Sequence, residues 1–347
     1  MAQSWPDVLT GLIAGRDLAA EDARWAMNQI LAGEATPVQI AGFAVALRAK
    51  GETVDELAGL AQAMLDKATP ITLPVDAVDV VGSGGDRANT VNVSTMAAMV
   101  AAAAGVPVVK HGNRAASSAC GTADCLEALG VALNVPPQAQ GAVLSEVGIA
   151  FLFAPLYHPS LRFAGTARKE LGVQTTFNFL GPLANPARPV AQAVGVANAG
   201  LAPIVAGVIA SRGHRGLVFH GGDGLDELTT TTASRVWLSA DGRVTEGELD
   251  PLDLGLQRSR PDQLVGADPA HNARVVLDVF DGAPGPVRDI VLLNAAAAAL
   301  AHAGVDPRVD VAAQLAPHLE RVGEAVDSGA ARTLLDRWIA VTQAAAA

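Results

Sequence analysis

Three short polar segments follow apolar runs in this chain, and each holds residue types that bind anions or metal ions. The first is Gly82-Ser83-Gly84-Gly85-Asp86, followed by Asn89, Thr90, Asn92, Val93, Ser94 and Thr95 where a helix begins. Glycines let backbone amides approach an anion unobstructed, and a helix N-terminus adds its positive end. No Gly-Lys-Ser/Thr follows, so this is not a Walker loop, and the spacing does not fit G-x-G-x-x-G. The second segment is Lys110-His111-Gly112-Asn113-Arg114, continuing through Ala115, Ala116, Ser117 and Ser118 to Gly121-Thr122-Ala123-Asp124. Lys110 offers a point charge, and Arg114 a fork suited to bidentate contact with an anion. The third is Asp226-Glu227 in a glycine-rich loop. Paired carboxylates suit a hard cation such as magnesium, which takes one or two of them plus phosphate oxygens. Each segment alone admits a plainer reading: a glycine turn with an N-cap, a basic surface turn, a solvated acidic loop. Two such turns on adjacent strands of an acidic protein favour the functional reading.

A fourth segment is less explicit. Tyr157-His158-Pro159 and Arg162 precede Arg168-Lys169-Glu170-Leu171-Gly172, and then Phe177-Asn178-Phe179-Leu180-Gly181-Pro182-Leu183-Ala184-Asn185-Pro186. A lone helical Arg is usually a solvated face, and a His before Pro is more often a core or capping residue than a catalyst.

The elements that must position these segments change character near Pro70. Before it the chain reads as helices only. Thr36 with Gln39, and Thr53 with Glu56, form capping boxes, the first with Pro37 at the opening helical position. Ile40, Phe43, Ala44 and Leu47 then recur at helical spacing, as do Leu57, Leu60 and Met64. After Pro74, apolar runs at 78–81, 106–109, 149–153, 191–196 and 216–219 read as strands. Helices are expected over 94–104, 117–129 and 202–211. Asp241-Gly242 between two further runs signals a hairpin. From His271 onward the chain reads as helices, with the Ala344–Ala347 end frayed. Strands alternating with helices imply a mostly parallel sheet covered on both faces. The fold class is therefore α/β: a small all-helical N-terminal domain plus a large domain whose mostly parallel central sheet is flanked by helices. The expected division is 1–72, joined by helices from about 165–190, against 73–164 and 191–347.

The 347 residues are half hydrophobic, enough for a sizeable core, and carry a net charge of -11. That charge argues against nucleic acid as a partner, since phosphate backbones are held by clustered Lys and Arg. Cys120 and Cys125 have neither zinc spacing nor a disulfide pattern, and read as small buried hydrophobes in a reducing compartment. The N-terminus lacks a basic region followed by an apolar run, and the apolar stretches are broken by Gly and Pro. A cytoplasmic enzyme with no membrane partner is the expectation.

In this order the motifs resemble the anthranilate phosphoribosyltransferase family over nearly the whole chain, from Gly33-Glu34-Ala35-Thr36-Pro37 to Leu293-Asn294-Ala295-Ala296-Ala297. The resemblance implies a nucleoside-phosphorylase type of fold and a homodimer. It also implies transfer of the 5-phosphoribosyl group from phosphoribosyl pyrophosphate (PRPP) to anthranilate in tryptophan biosynthesis. It would place PRPP against Gly82, Gly85, Asp86, Thr90, Asn92, Val93, Ser94 and Thr95, and against residues 110–118 with Thr122. Ser94, Asp226 and Glu227 would ligate Mg2+. Anthranilate would lie near Gly82, Asn113 and Arg168, in a tunnel with His111, His158 and Pro182; Lys110 and Arg168 would carry the catalysis. Three positions depart from the family pattern: Ser83 replaces a common Thr, Thr122 a common Ser, and Gln174 a common Arg near the substrate entrance. The reaction needs cations for the leaving group more than a base. Two substrates on different domains imply closure, with a hinge near 70–74. The rival readings are a pyrimidine nucleoside phosphorylase, which would need no acidic metal pair, and a non-catalytic nucleotide- or nucleic-acid-binding relative lacking the aromatic-acid site. The Thr229–Thr232 run has no assignment.

Overall fold

The chain begins with four helices, α1 (Trp5–Ile13), α2 (Ala20–Ala32), α3 (Pro37–Lys50) and α4 (Val54–Asp66). This is seen in a computed structural model that describes residues 4–73, 76–115 and 119–347. Both capping boxes form: Thr36 Oγ1 accepts from the Gln39 amide while the Gln39 side chain accepts from Thr36, and Thr53 and Glu56 repeat the exchange. Such caps contribute about 1 kcal/mol each. The helical stripes close into a core of Ile40, Phe43, Leu47, Leu57, Leu60 and Met64.

Beyond it come β1 (Val78–Gly82), α5 (Val93–Ala103), β2 (Val108–Gly112), α6 (Thr122–Leu129), α7 (Gln140–Val147), β3 (Ile149–Phe153), the single turn α8 (Ala154–Tyr157) and α9 (Arg162–Leu171). Then follow β4 (Ala191–Gly195), α10 (Ala202–Ser211), β5 (Arg215–Gly221), β6 (Ser234–Ala240), β7 (Arg243–Leu249), α11 (Pro269–Phe280), α12 (Pro286–Ala303), α13 (Val311–Asp327) and α14 (Ala330–Ala346). The strands make one sheet in the order β3-β2-β1-β4-β5-β6-β7. The first five are parallel, and β6 and β7 add an antiparallel hairpin. Its Asp241 and Gly242 both take positive φ, 50° and 73°, the geometry a two-residue hairpin loop requires. The strand order runs outward from β1 in both directions. The crevice beyond the carboxyl ends of β1 and β4 is thus the switch point where such sheets bind ligands.

One sheet face packs Val78, Val80, Ala193 and Leu217 against α5, α12 and their neighbours. The other packs Val194, Val218 and Trp237 against α10 and the four-helix unit. Ala164 and Ala167 of α9, with Phe177, Phe179 and Leu180, join this second core. Among the described residues no helix is long and apolar enough to cross a membrane.

Two sequence expectations shift. The helix read from residue 117 starts at Thr122. Gly121 lies so close beneath the preceding loop that a Cβ there would fall 2.2 Å from the Ala115 nitrogen. Asp124 completes that cap by accepting from the Ala115 and Gly121 amides, both at 3.0 Å. The alanine tail does not fray at residue 344: α14 continues to Ala346, with Ala345 and Ala346 packed on the core, in keeping with alanine's high helix propensity.

Candidate active site at the sheet switch point

β1 delivers Gly82 beside Gly195 of β4. The chain then turns through Gly84 and Gly85, whose φ values of 69° and 89° favour glycine. Ser83 fixes the turn: its amide donates to Gly195 O at 2.9 Å and its hydroxyl accepts from the Ala197 amide at 3.0 Å. The Gly84 amide donates to Asp226 Oδ2 at 2.6 Å, across 142 positions of sequence. A Cβ on Gly82 would lie 2.3 Å from that same oxygen, and one on Gly195 only 1.6 Å from Asp226 O. The acidic loop therefore rests directly on the ends of β1 and β4, and only glycine permits it.

Asp226 and Glu227 are both buried. Burial, then the neighbouring Asp86 charge, pushes the Asp226 carboxyl up to about 7. Burial and Asp226 hold Glu227 well above the usual carboxylate range, although the Ser94 amide donates to it. Lys110 is 1% exposed. Its Nζ donates to Val80 O and, at 3.3 Å, to Ser94 Oγ. Burial lowers it to about 8 against the opposing pull of Asp79, Glu227 and Asp226. Carboxylates crowded into a buried site, with hydroxyl oxygen and no sulfur beside them, suit a hard divalent cation. Among the described residues no group of three or more His, Cys, Asp or Glu forms a metal cage. A magnesium ion here would take its remaining oxygens from substrate and water.

Asp79, which sequence reading passed over, lies fully buried within β1. It accepts from the His111 amide at 3.1 Å and from Asn185 Nδ2 at 2.9 Å, and burial pushes it up to about 6. Its signal in the sequence was a lone acid inside Val78-Asp79-Val80. The Thr run also gains a role. Thr229 and Thr231 hydroxyls donate to Asp223 Oδ2, Thr230 pairs with Ser259, and Asn294 ties both backbone groups of Leu228. Together they anchor the acidic loop.

The other expected PRPP residues divide. Val93 and Ser94 open α5, and Thr95 Oγ1 donates to Thr122 Oγ1 at 3.2 Å. Asp86 accepts from the Ala88 amide at 3.2 Å, Thr90 bridges to Val265, and Gly112 closes β2. Asn92 is occupied by scaffold contacts, donating to Cys120 O at 3.1 Å and accepting from Asn272 at 2.8 Å. The Arg114 fork is held by Asp124 and Glu127 of α6 at 2.8 to 3.1 Å. It differs here from the anion-facing fork the sequence implied. Asn113 is exposed, its side chain accepting from the Arg114 amide at 2.8 Å and its backbone carbonyl from the Ala123 amide at 3.1 Å, and Ala115 belongs to the α6 cap. Ala116, Ser117 and Ser118 lie outside the described residues, as does Pro74 of the expected hinge.

On the side of α9, Arg168 is half-buried above the Phe177 ring, 6.0 Å from its centroid. It has no carboxylate within salt-bridge distance among the described residues. His111 and His158 meet edge to face with centroids 5.2 Å apart. His111 Nδ1 faces Gly181 O at 3.2 Å and His158 Nε2 faces Ala184 O at 2.8 Å. A carbonyl only accepts, so those nitrogens carry the protons. Burial, with His158 beside it, drives His111 down to about 3, and burial lowers His158, so both rings are neutral near pH 7. Pro182 is buried, and Gln192 of β4 donates to its carbonyl at 2.7 Å. Gln174 reaches the glycine turn, donating to Gly85 O at 3.0 Å.

Residues 74–332 match the glycosyl transferase family a/b domain, and residues 6–68 match its helical bundle domain. Fold and site thus define a two-domain glycosyl transferase. An anthranilate phosphoribosyltransferase of Thermobifida fusca (strain YX) is 58% identical over 344 residues, covering 99% of this chain and 98% of that one. The crystal structure of the Thermus thermophilus anthranilate phosphoribosyltransferase has a TM-score of 0.89 at 40% identity, covering 97% and 99% of the two chains. The Saccharomyces cerevisiae one, in complex with PRPP and Mg, has a TM-score of 0.88 at 26% identity over 99% of each chain. The chain belongs to the anthranilate phosphoribosyltransferases. That membership sets aside the nucleoside phosphorylase and the non-catalytic readings.

Proposed function

We infer that the protein transfers the 5-phosphoribosyl group of PRPP to the amine of anthranilate, releasing pyrophosphate, in tryptophan biosynthesis. The observation that carries this reading is the meeting of Asp226 with the glycine turn at 2.6 Å, beside Ser94 and Lys110. It gathers two buried carboxylates, backbone amides and a buried ammonium at one switch point, groups suited to a cation and an anionic substrate.

The residue roles belong to the same proposal. The turn from Gly82 to Asp86, the start of α5 and the segment after β2 hold PRPP. Ser94, Asp226 and Glu227 hold Mg2+, which when bound offsets the charge gathering on the departing diphosphate. Lys110 and the turn amides share that task from fixed positions, so little reorganisation is needed as the bond breaks. Arg168 and Asn113 orient anthranilate, Arg168 through its carboxylate. The aromatic amine is neutral at physiological pH, so attack at the anomeric carbon needs no prior deprotonation. The neutral rings of His111 and His158, with Pro182, shape the approach without adding charge. Positioning of two bound substrates does most of the work.

The enzyme works in the cytoplasm as a homodimer joined through its helical unit. In support, Ile13, Val38, Val45 and Phe163 are 79%, 81%, 45% and 40% exposed on α1, α3 and α9, helices that pack together. Light scattering reads the oligomer directly; a monomer at micromolar concentration would reject it. The activity is tested by following anthranilate fluorescence with enzyme, PRPP and Mg2+. The signal falls with product formation and holds steady when EDTA replaces the metal. Absence of any magnesium-dependent fall would overturn the assignment.

A further inference from the structure

A cavity of about 230 Å³ lies away from the catalytic crevice, at the opposite end of β4 and β5. Gln62 of α4, Asn185, Arg188, Gln192, Arg212 and His214 are among the residues that line it. Its lining contains three basic side chains and no Asp or Glu, in a protein with 35 acidic residues against 24 Lys and Arg.

The basic groups are poorly answered. Arg212 Nη1 donates to Leu183 O at 2.9 Å. Its Nη2 is buried with no hydrogen-bond partner, and so is His214 Nδ1. Buried polar atoms are nearly always partnered, so two orphans in one cavity call for an explanation. Arg188 reaches Asp66 only at 3.7 Å, and Asp66 already accepts from Arg24 and Gln62. Arg188 also sits at a φ of 52°, a conformation unfavourable for a non-glycine residue. Burial and the nearby Arg188 charge lower Arg212 to about 10, and burial and Arg212 lower His214. Burial acts first on both groups, and a neighbouring cation adds to it.

We propose that this cavity binds a small tetrahedral oxyanion of the phosphate type, at a site separate from the catalytic one. Arg212 Nη2 and Arg188 supply the charge-assisted donors. Gln62 and Gln192 are polar wall groups at the same cavity, and His214 Nδ1 is a further donor when protonated there. The opposite charge of an anion removes the repulsion between the two guanidinium groups. Carboxylate ligands match the same charge but not the tetrahedral shape, so they form a second arm of the test.

The test is calorimetric titration of sulfate into full-length enzyme saturated with Mg2+ and PRPP, without anthranilate. PRPP covers the catalytic diphosphate site, and repeating the titration with Arg168→Ala separates uptake at the open anthranilate side from uptake at the cavity. One sulfate per chain should bind, and acetate should bind at least tenfold more weakly. Arg212→Gln should weaken sulfate at least tenfold and Arg188→Ala several-fold, both retaining transferase activity. Loss of sulfate binding on adding PRPP, or equal affinity in wild type and Arg212→Gln, overturns the proposal. If Arg212→Gln does not fold by circular dichroism, two readouts decide. These are Arg188→Ala, at an exposed position, and the wild-type His214 ring signals in NMR. Unchanged affinity in the first, or unmoved ring signals on adding sulfate, rejects the site.

Discussion

Asp79 stands inside a parallel strand where a carboxylate is costly unless something answers it. The answers come from the His111 amide and Asn185, with Lys110 near enough to stabilise the charge. Asp79→Ala leaves the His111 amide buried and unmet and Asn185 with only its bond to Val109 O, and should lower stability by about 1 to 3 kcal/mol in urea unfolding. Arg168 is the opposite case, a half-buried cation with no carboxylate of its own among the described residues. Arg168→Ala should raise the anthranilate KM roughly 10- to 100-fold, the value of a charge-assisted hydrogen bond, and leave the PRPP KM nearly unchanged. Equal losses for both substrates would reject its role. His111 sets a pH window. Its native value of about 3 lies below the ordinary 6.5, so between those values the unfolded chain holds more protons than the folded one. The His111 contribution to stability should therefore fall as pH drops from 6.5 towards 3, by up to about 1.4 kcal/mol per pH unit, while the raised Asp79 and Asp226 carboxyls act in the opposite sense over much of that window. The His111 share is read as the difference between wild type and His111→Gln, which should grow less favourable to wild type as pH falls, provided the variant folds.

The glycine turn and the acidic loop act as one element made of two distant pieces. Gly85 has φ of 89°, and a Cβ there would fall 2.0 Å from Gln174 Nε2. Gly85→Ala should raise the PRPP KM at least tenfold. Adding Gln174→Ala should relieve the contact but not the backbone strain, so rescue should be partial; full rescue would show that the φ is unimportant. What was legible in the sequence was local. The capping boxes at Thr36 and Thr53, the Asp241-Gly242 hairpin and the polar segments after β1 and β2 all depend on residues within a few positions of one another. What was not legible depends on distant contact. Asn185 meets Asp79 across 106 positions, and the start of α6 is set by the close approach of residues 114 and 115 to Gly121. Gln174 was legible as a departure from its family, while its bond to Gly85 O appears only once the chain has folded.

At the scale of the whole molecule, PRPP and Mg2+ together should raise the thermal midpoint, since a ligand at one hundred times its Kd adds about 2.7 kcal/mol of stability. Scanning fluorimetry should show a shift of a few degrees with both present and a smaller one with either alone. Equal shifts for PRPP with and without metal would count against the acidic pair as its ligands. Residues 168–176 connect three bodies. Arg168 faces the proposed anthranilate site, Gln174 holds Gly85 O, and Thr176 Oγ1 donates to the buried Glu52 of the helical unit at 2.6 Å. Thr176→Val would leave Glu52 with Arg48 as its remaining partner among the described residues. A span this short has little slack, so an aromatic acid settling against Arg168 would also bear on the turn proposed to take the diphosphate. Equilibrium linkage then makes the influence mutual: whatever factor one substrate lends to the other's affinity, it receives back unchanged. The two half-reactants would thus report each other's presence through a single glutamine.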